Sequence, residues 1–306
     1  MDTRLHKVQW GPGQERKRTS DKNWKLPASW NSRAFVQCDS CGWRGEKKSR
    51  HACPVCGGGT CTPTRRRVFC ASLADVFDND VPTLWRQQLM TLVADTPNLD
   101  WLFLTKRIGN ARKMLAGDSM HDGRLLTASD EYKPPANLWI GATIVNQEEA
   151  DRDIPKLLAT PAAVRFLSME PLLGPVDLAQ WLCDFGLGRG SGGWGNLHWI
   201  IAGGESGRGA RPMHPHWARS LRDQCEAAGV PFLFKQWGEW LPVTREASSD
   251  GSVYLEPVDG CGEGPATERK FPTVEAHGHL FARTGKKAAG RLLDGETHNG
   301  FPRGAA

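Results

Sequence analysis

The sequence predicts an α/β protein built on a parallel sheet, and three observations carry that prediction. Six short apolar segments recur between residues 66 and 238. At least four of them are followed by a stretch with helical periodicity. The segments are continuous apolar runs, as expected of strands covered on both faces. An open doubly wound sheet and a full or partial (β/α) barrel both satisfy this pattern.

The first strand is RRVFCASLADVF, 66–77. In the next stretch Val81, Leu84, Trp85, Leu89, Leu92 and Val93 recur at helical spacing, with Asp80 as N-cap and Pro82 in the first turn. LDWLFLTKR (99–107) is the second strand and GNARKMLAG the helix after it. NLWIGATIVN (137–146) and VRFLSMEPLLGPVDL (164–178) supply the third and fourth, with EEADRDIPKLLAT as the intervening helix. LHWIIAGGES (197–206) is the fifth. The helix after it buries Trp217, Leu221 and Cys225 and closes at Gly229 in a left-handed turn. VPFLFKQWG (230–238) is the sixth.

Around this core at 63–240, the chain divides into a basic, Trp-dotted lead at 1–36, a cysteine-rich insertion at 37–62, and a Gly-rich polar extension at 241–306. That extension holds one helical pattern, TGKKAAGRLL. A hydrophobic content of 39% with 24% charged residues is ordinary for a soluble globular chain. No stretch approaches the roughly 18 apolar residues of a membrane span, and the N-terminus lacks the apolar run of a secretion signal. The reading is therefore cytoplasmic, with no membrane partner. In that compartment the nine cysteines are metal ligands or free thiols, not disulfides. The net charge of +5 permits a polyanionic partner without requiring one.

Every strand segment ends in polar groups. Ser72 and Asp75 end the first, Lys106 and Arg107 the second, Thr143 and Asn146 the third, Glu170 the fourth. Gly203, Gly204 and Glu205 end the fifth, Lys235 and Gln236 the sixth. In a parallel α/β fold the carboxyl ends of the strands lie on one rim, where ligands bind. Mixed charge there suits a zwitterionic or phosphate-bearing ligand, with Lys106, Arg107 and Lys235 for anionic groups and Glu170 and Glu205 for an amine or hydroxyls.

The most specific motif is Cys38-x2-Cys41 followed by Cys53-x2-Cys56, each pair leading into a glycine. Four thiolates in two such turns match tetrahedral Zn²⁺ in a zinc ribbon. A site closed by four thiolates leaves no open position for chemistry, so the zinc is structural. Cys61 is a spare thiol that could replace one ligand, and His51 is a bystander. Cys70, Cys183 and Cys225 sit on apolar patterns as small core residues. Arg44, Lys47, Lys48 and Arg50 on the connecting hairpin could touch phosphates, though a solvated loop accounts for them equally well.

Six segments carry a resemblance: VFCASLADVFDNDVP, LFLTKRIGNARKML, NLWIGATIVNQEEADRDIPKLL, VRFLSMEPLLGPVDL, WIIAGGESGRGARPMHPHWARSLRDQCEAAGVPFLFKQWGEW and TGKKAAGRLLDG. They resemble a phage-encoded family distantly similar to radical S-adenosylmethionine (SAM) enzymes. The resemblance implies a partial radical-SAM-type barrel with the zinc ribbon as an insertion. It also implies SAM and a [4Fe–4S] cluster as cofactors, and a partner protein named for the family's three-cysteine motif. By the same resemblance Gly203, Gly204 and Glu205 correspond to the strand that contacts the methionine amine of SAM. The chain departs from the family at the cluster loop. It holds no Cys-x3-Cys-x2-Cys stretch, and reads as beginning downstream of it. Two functions follow as expectations: a radical-SAM-like enzyme acting on nucleic acid or a phage-related macromolecule, or a zinc-stabilised module that binds nucleic acid or protein on an inert barrel. A metal-dependent hydrolase ranks third, because the strand ends offer no histidine.

Overall fold

The computed structural model describes residues 14–47, 52–71, 74–118, 120–121, 124–125, 133–182, 196–247, 249, 253–261, 266–267 and 271–302. Ser72, Lys48, Arg50, His51 and Cys183 lie outside the described residues.

The chain opens on α1 (Asp21–Asn31), whose N-cap Ser20 accepts the Asn23 amide. Next comes a three-stranded antiparallel sheet of β1 (Phe35–Cys38), β2 (Arg44–Glu46) and β3 (Cys61–Pro63), in the order β2-β1-β3. The core follows as β4 (Arg66–Cys70), α2 (Thr83–Ala94), β5 (Leu99–Thr105) and α3 (Ile108–Asp118). A two-residue ladder, β6 (Met120–His121) with β7 (Arg124–Leu125), precedes β8 (Leu138–Thr143), α4 (Gln147–Leu158), β9 (Val164–Met169), β10 (Trp199–Gly203), α5 (Pro215–Ala227) and β11 (Phe232–Gln236). The chain finishes with β12 (Leu241–Ala247), β13 (Val253–Pro257), β14 (Ala266–Thr267), β15 (Thr273–Ala276), β16 (His279–Ala282) and α6 (Lys286–Ala289).

All six anticipated strands are present in one six-stranded sheet, ordered β11-β10-β9-β8-β5-β4. The β4–β5, β9–β10 and β10–β11 pairs are parallel. A doubly wound sheet needs a reversal in strand order to create its switch point. Here the order follows the sequence without reversal, which is the winding of a (β/α) barrel left open. The fold is thus mixed α/β with a barrel-type sheet.

Two compact units divide the chain. The first holds 1–140, 160–163 and 303–306; the second holds 141–159 and 164–302, so the boundary falls inside β8. In the first, Val93, Leu99, Phe103, Ala111 and Leu115 are buried. The Asn137 side chain, 4% exposed, donates to the carbonyls of Val93 and Thr96 and ties the end of α2 to the start of β8. The expected apolar face of α2 is only partly correct. Leu84 is 59% exposed, whereas Arg86 turns inward and donates to Val81 O and Thr83 Oγ1. Asp80 is not the cap either: Pro82 holds that position, and Asp80 is paired with Arg16 at 2.9 Å. Satisfying two donors of a buried guanidinium outweighs helical periodicity there.

In the second unit Phe166, Leu167, Met169, Ile200, Phe234 and Trp237 form the core, each removed from water for roughly 1.5–3 kcal/mol. Trp217, Leu221 and Cys225 face inward from α5, and Gly229 turns the chain at φ +65°, both as anticipated. The stretch read as a polar extension contains a five-stranded antiparallel sheet, ordered β14-β13-β12-β16-β15. Residues 298–300 return along the outer edge of β11. Phe234 N–H donates to His298 O (3.1 Å), Gly300 N–H to Phe232 O (2.7 Å), and Trp199 Nε1 to Gly300 O (2.8 Å). Among the described residues no helix is long and apolar enough to cross a membrane.

Candidate metal centre and strand-end sites

The two Cys-x-x-Cys turns are built alike. Gly42 donates its amide to Cys38 O at 3.0 Å, and Gly57 donates to Cys53 O at 3.0 Å. Both glycines sit at positive φ, +72° and +73°, which a side chain would strain. The turns face each other so that Cys38 Sγ lies 3.6 Å from Cys56 Sγ, and Cys41 Sγ 3.6 Å from Cys53 Sγ. All four sulfurs lie within 4.8 Å of one another, a cluster that could bind a metal. A Cβ on Gly59 would stand 2.3 Å from Cys38 Sγ, so the backbone there passes against the sulfur itself.

The electrostatics of the cluster call for a cation. Amides of Gly58 and Gly59, then the Cys38 sulfur, bring Cys56 down to about 6. Cys41 is pushed up to about 12: the Trp43 amide favours its ionisation, but burial and the three neighbouring sulfurs outweigh it. Collecting four thiolates in this space without a positive ion is therefore opposed by their own repulsion. Cys61 sits opposite Cys38 across the β1–β3 ladder, outside the four-sulfur cluster.

At the strand ends of the first unit, Asp75 is committed to its own loop. Its carboxylate accepts Thr105 Oγ1 (2.8 Å), the Lys106 amide (3.1 Å) and the Phe77 amide (3.0 Å), with Arg107 Nη1 at 3.4 Å. Arg107 Nη2 also reaches Asp78 at 3.5 Å.

The second unit gathers a denser set. Glu170, at the end of β9, accepts Lys235 Nζ at 2.9 Å and Gln236 Nε2 at 3.4 Å. Gln236 Nε2 also donates to Ser206 Oγ at 3.2 Å. A carboxylate can only accept, which fixes the Gln236 amide with nitrogen toward Glu170. Its oxygen is then left buried without a donor on a side chain only 7% exposed. Gly203 makes room for this: a Cβ there would meet Glu170 Oε1 at 2.6 Å. Gly204 packs against the Trp237 carbonyl, where a Cβ would stand at 1.8 Å. Glu205 points elsewhere, gripped by Arg211 through Nε and Nη2 at 2.8 Å each. Thr143 is buried at 7% exposure, and Asn146 is the N-cap of α4, accepting the Glu149 amide at 2.9 Å.

Sequence reasoning missed a group of imidazoles in the second unit. The His214 ring lies 4.4 Å from His279 and 6.3 Å from His216, and the His277 ring lies tilted 4.7 Å from Trp217. The signal was a repeated His-x-His, in MHPHW and AHGHL. Burial first, then the charges of His279, His216 and His277, push His214 down to about 4. The imidazoles form no metal-holding set: among the described residues only the four cysteines do.

A family model described as "Protein of unknown function (DUF5131)" matches residues 1–302. The chain belongs to this family. No curated protein and no solved structure matches it. The family's extent takes in both units and the cysteine turns, so the four-cysteine cluster and the strand-end residues all lie within the matched region.

Proposed function

We propose that the second unit binds the amino-acid head group of a small ligand at Glu170, Lys235 and Gln236, and that this ligand is SAM, as the resemblance to phage-encoded radical-SAM-like proteins implies. The observation that carries the reading is the orphaned Gln236 oxygen beside the Glu170 carboxylate. An ammonium group placed against both would satisfy that acceptor and share the carboxylate with Lys235, whose own charge suits the ligand's carboxylate. The role that resemblance gives to Glu205 passes to Glu170 in this reading, because Arg211 already occupies both Glu205 oxygens.

The four-cysteine cluster fits a single zinc ion held for structure. A zinc–sulfur bond of about 2.3 Å separates tetrahedral sulfurs by about 3.8 Å, close to the 3.6 Å of both short pairs. The described cysteines do not fit a [4Fe–4S] cluster. The four-sulfur group is too tight for four irons, and Cys225 and Cys261 are fully buried apart from it. Burial also pushes Cys70 up to about 12, away from the thiolate that iron needs.

Titration calorimetry with SAM, S-adenosylhomocysteine and L-methionine tests the head-group site. All three should bind, and Glu170→Gln and Gln236→Met should each weaken binding about 10- to 100-fold, the worth of a charged or buried hydrogen bond. Absence of binding by all three ligands, or a Glu170→Gln chain with unchanged affinity, sinks the reading.

A further inference from the structure

Residues 1–67 carry 15 lysines and arginines against five acids, a net charge of +10. The whole chain is +5, so everything after residue 67 is net negative, at −5. This asymmetry has a structural focus. Arg33, Arg44, Arg65, Arg66 and Arg67 gather around two carboxylates, Glu46 and Asp100. Arg33 and Arg66 share Glu46 at 3.3 and 3.1 Å, and Arg65 lies 3.7 Å from Asp100. The Asp100 charge also acts on Arg44 and Arg67. Lys22, Lys25, Arg33 and Lys47 are exposed, so cations stand at the surface around the paired arginines.

Aromatic rings are interleaved with these cations. The Arg66 guanidinium sits 4.8 Å from the Trp30 ring centre and 5.7 Å from that of Phe35, and Arg44 sits 5.9 Å from Phe35. Six residues before Trp30, Trp24 is covered by Arg18 at 3.8 Å. Trp24, Trp30 and Phe35 are all half-buried, and Lys22 and Lys25 are exposed on the same helix, α1.

We infer that this face of the first unit, formed by α1, the metal-stapled ribbon and the arginines at 65–67, binds single-stranded nucleic acid. Phosphates meet the exposed cations Lys22, Lys25, Arg33 and Lys47, while half-open rings and planar guanidiniums stack on unpaired bases. A duplex hides its base faces, and an acidic peptide would use the charge but offer the rings no flat partner to stack on. The acidic remainder of the chain repels the same polyanion, which confines binding to this face. The inference is independent of the amino-acid site, since no residue is shared.

The test is fluorescence anisotropy of the full, zinc-loaded chain with a labelled oligothymidylate of about 20 nucleotides. Salt is varied between about 50 and 200 mM, and log affinity should fall linearly with log salt by about 0.7 per phosphate contacted. Reversing three exposed charges together, Lys22→Glu, Lys25→Glu and Arg33→Glu, should weaken binding at least about tenfold at low salt. Reversal of Lys286 and Lys287, exposed in the second unit, should leave it unchanged. Circular dichroism of each variant separates lost binding from lost folding. Four outcomes overturn the inference: no binding at low salt, salt-independent binding, equal affinity for a duplex of the same length, or tighter capture by phosphatidylserine vesicles than by the oligonucleotide.

Discussion

The sulfurs of Cys38 and Cys56 stand 3.6 Å apart although 18 positions separate them in the chain. Little else holds that separation, because the three-stranded sheet beside it has short strands and few buried positions. Metal analysis of the purified chain should find about one zinc per molecule, and Cys56→Ser should lose most of it. Such a site contributes on the order of 10 kcal/mol to its own small fold. Chelation should therefore release amide protection across 35–47 and 52–63 while β9 in the second unit keeps its own. Retention of protection in that three-stranded sheet after chelation would contradict the assignment.

Gly203 should not tolerate a methyl group. A Cβ there falls 2.6 Å from Glu170 Oε1 and 3.0 Å from its Cδ, so the carboxylate has to move. Gly203→Ala should fold with a modest loss, on the order of 1–3 kcal/mol from overpacking, and lose affinity for amine-bearing ligands. Calorimetry on the alanine variant checks this, and unaltered affinity would remove Glu170 from the site.

Acidification should destabilise the second unit through two histidines. His214 is pushed down to about 4, and His198 is lowered by burial and then by the Arg165 charge; its Nδ1 accepts the Arg165 amide at 3.0 Å, a bond that protonation of Nδ1 would break. The unfolded chain takes up protons as pH falls through about 6.5, while the folded chain resists until lower pH. Stability is complete above that value and declines as pH falls toward about 4. Solvent around the half-exposed His214 ring keeps its share small. His214→Asn, which preserves an acceptor for the His216 amide at the start of α5, should flatten the melting temperature profile between pH 7 and 5. An unchanged slope would assign the acid sensitivity elsewhere.

Asn146 offers a clean separation of scaffold from ligand contact. It caps α4 through the Glu149 amide. Asn146→Ala should cost about 0.5–2 kcal/mol in denaturant unfolding, and Asn146→Ser should restore most of that. Neither should alter ligand affinity. A serine variant that is stable but fails to bind would return Asn146 to the ligand.

The parallel core was legible because its strands are long apolar runs punctuated by helices, and the four cysteines because ligand spacing is a local signal. The rest depended on features that spacing does not encode. Asp75 and Asn146 are polar at strand ends, as a binding rim demands, yet both are spent on local backbone amides. Only coordinates distinguish that use from that of Gln236, whose buried oxygen is left without a donor. The antiparallel sheet at 241–282 was obscured by short strands with few buried positions, such as Thr273–Ala276 with none. Arg86 replaced Leu84 on the inner face of α2 because local acceptors, Val81 O and Thr83 Oγ1, were within reach.

Residues 298–300 lie along β11 and take up backbone groups on its free side, with Leu233 bridged to Asn299 in antiparallel fashion. A bare margin of sheet is an invitation to foreign β-segments and to self-association. At β11 the molecule fills that vacancy with residues 298–300, so deleting that segment would uncover a sticky seam, with the indole of Trp199 losing its acceptor in the same stroke.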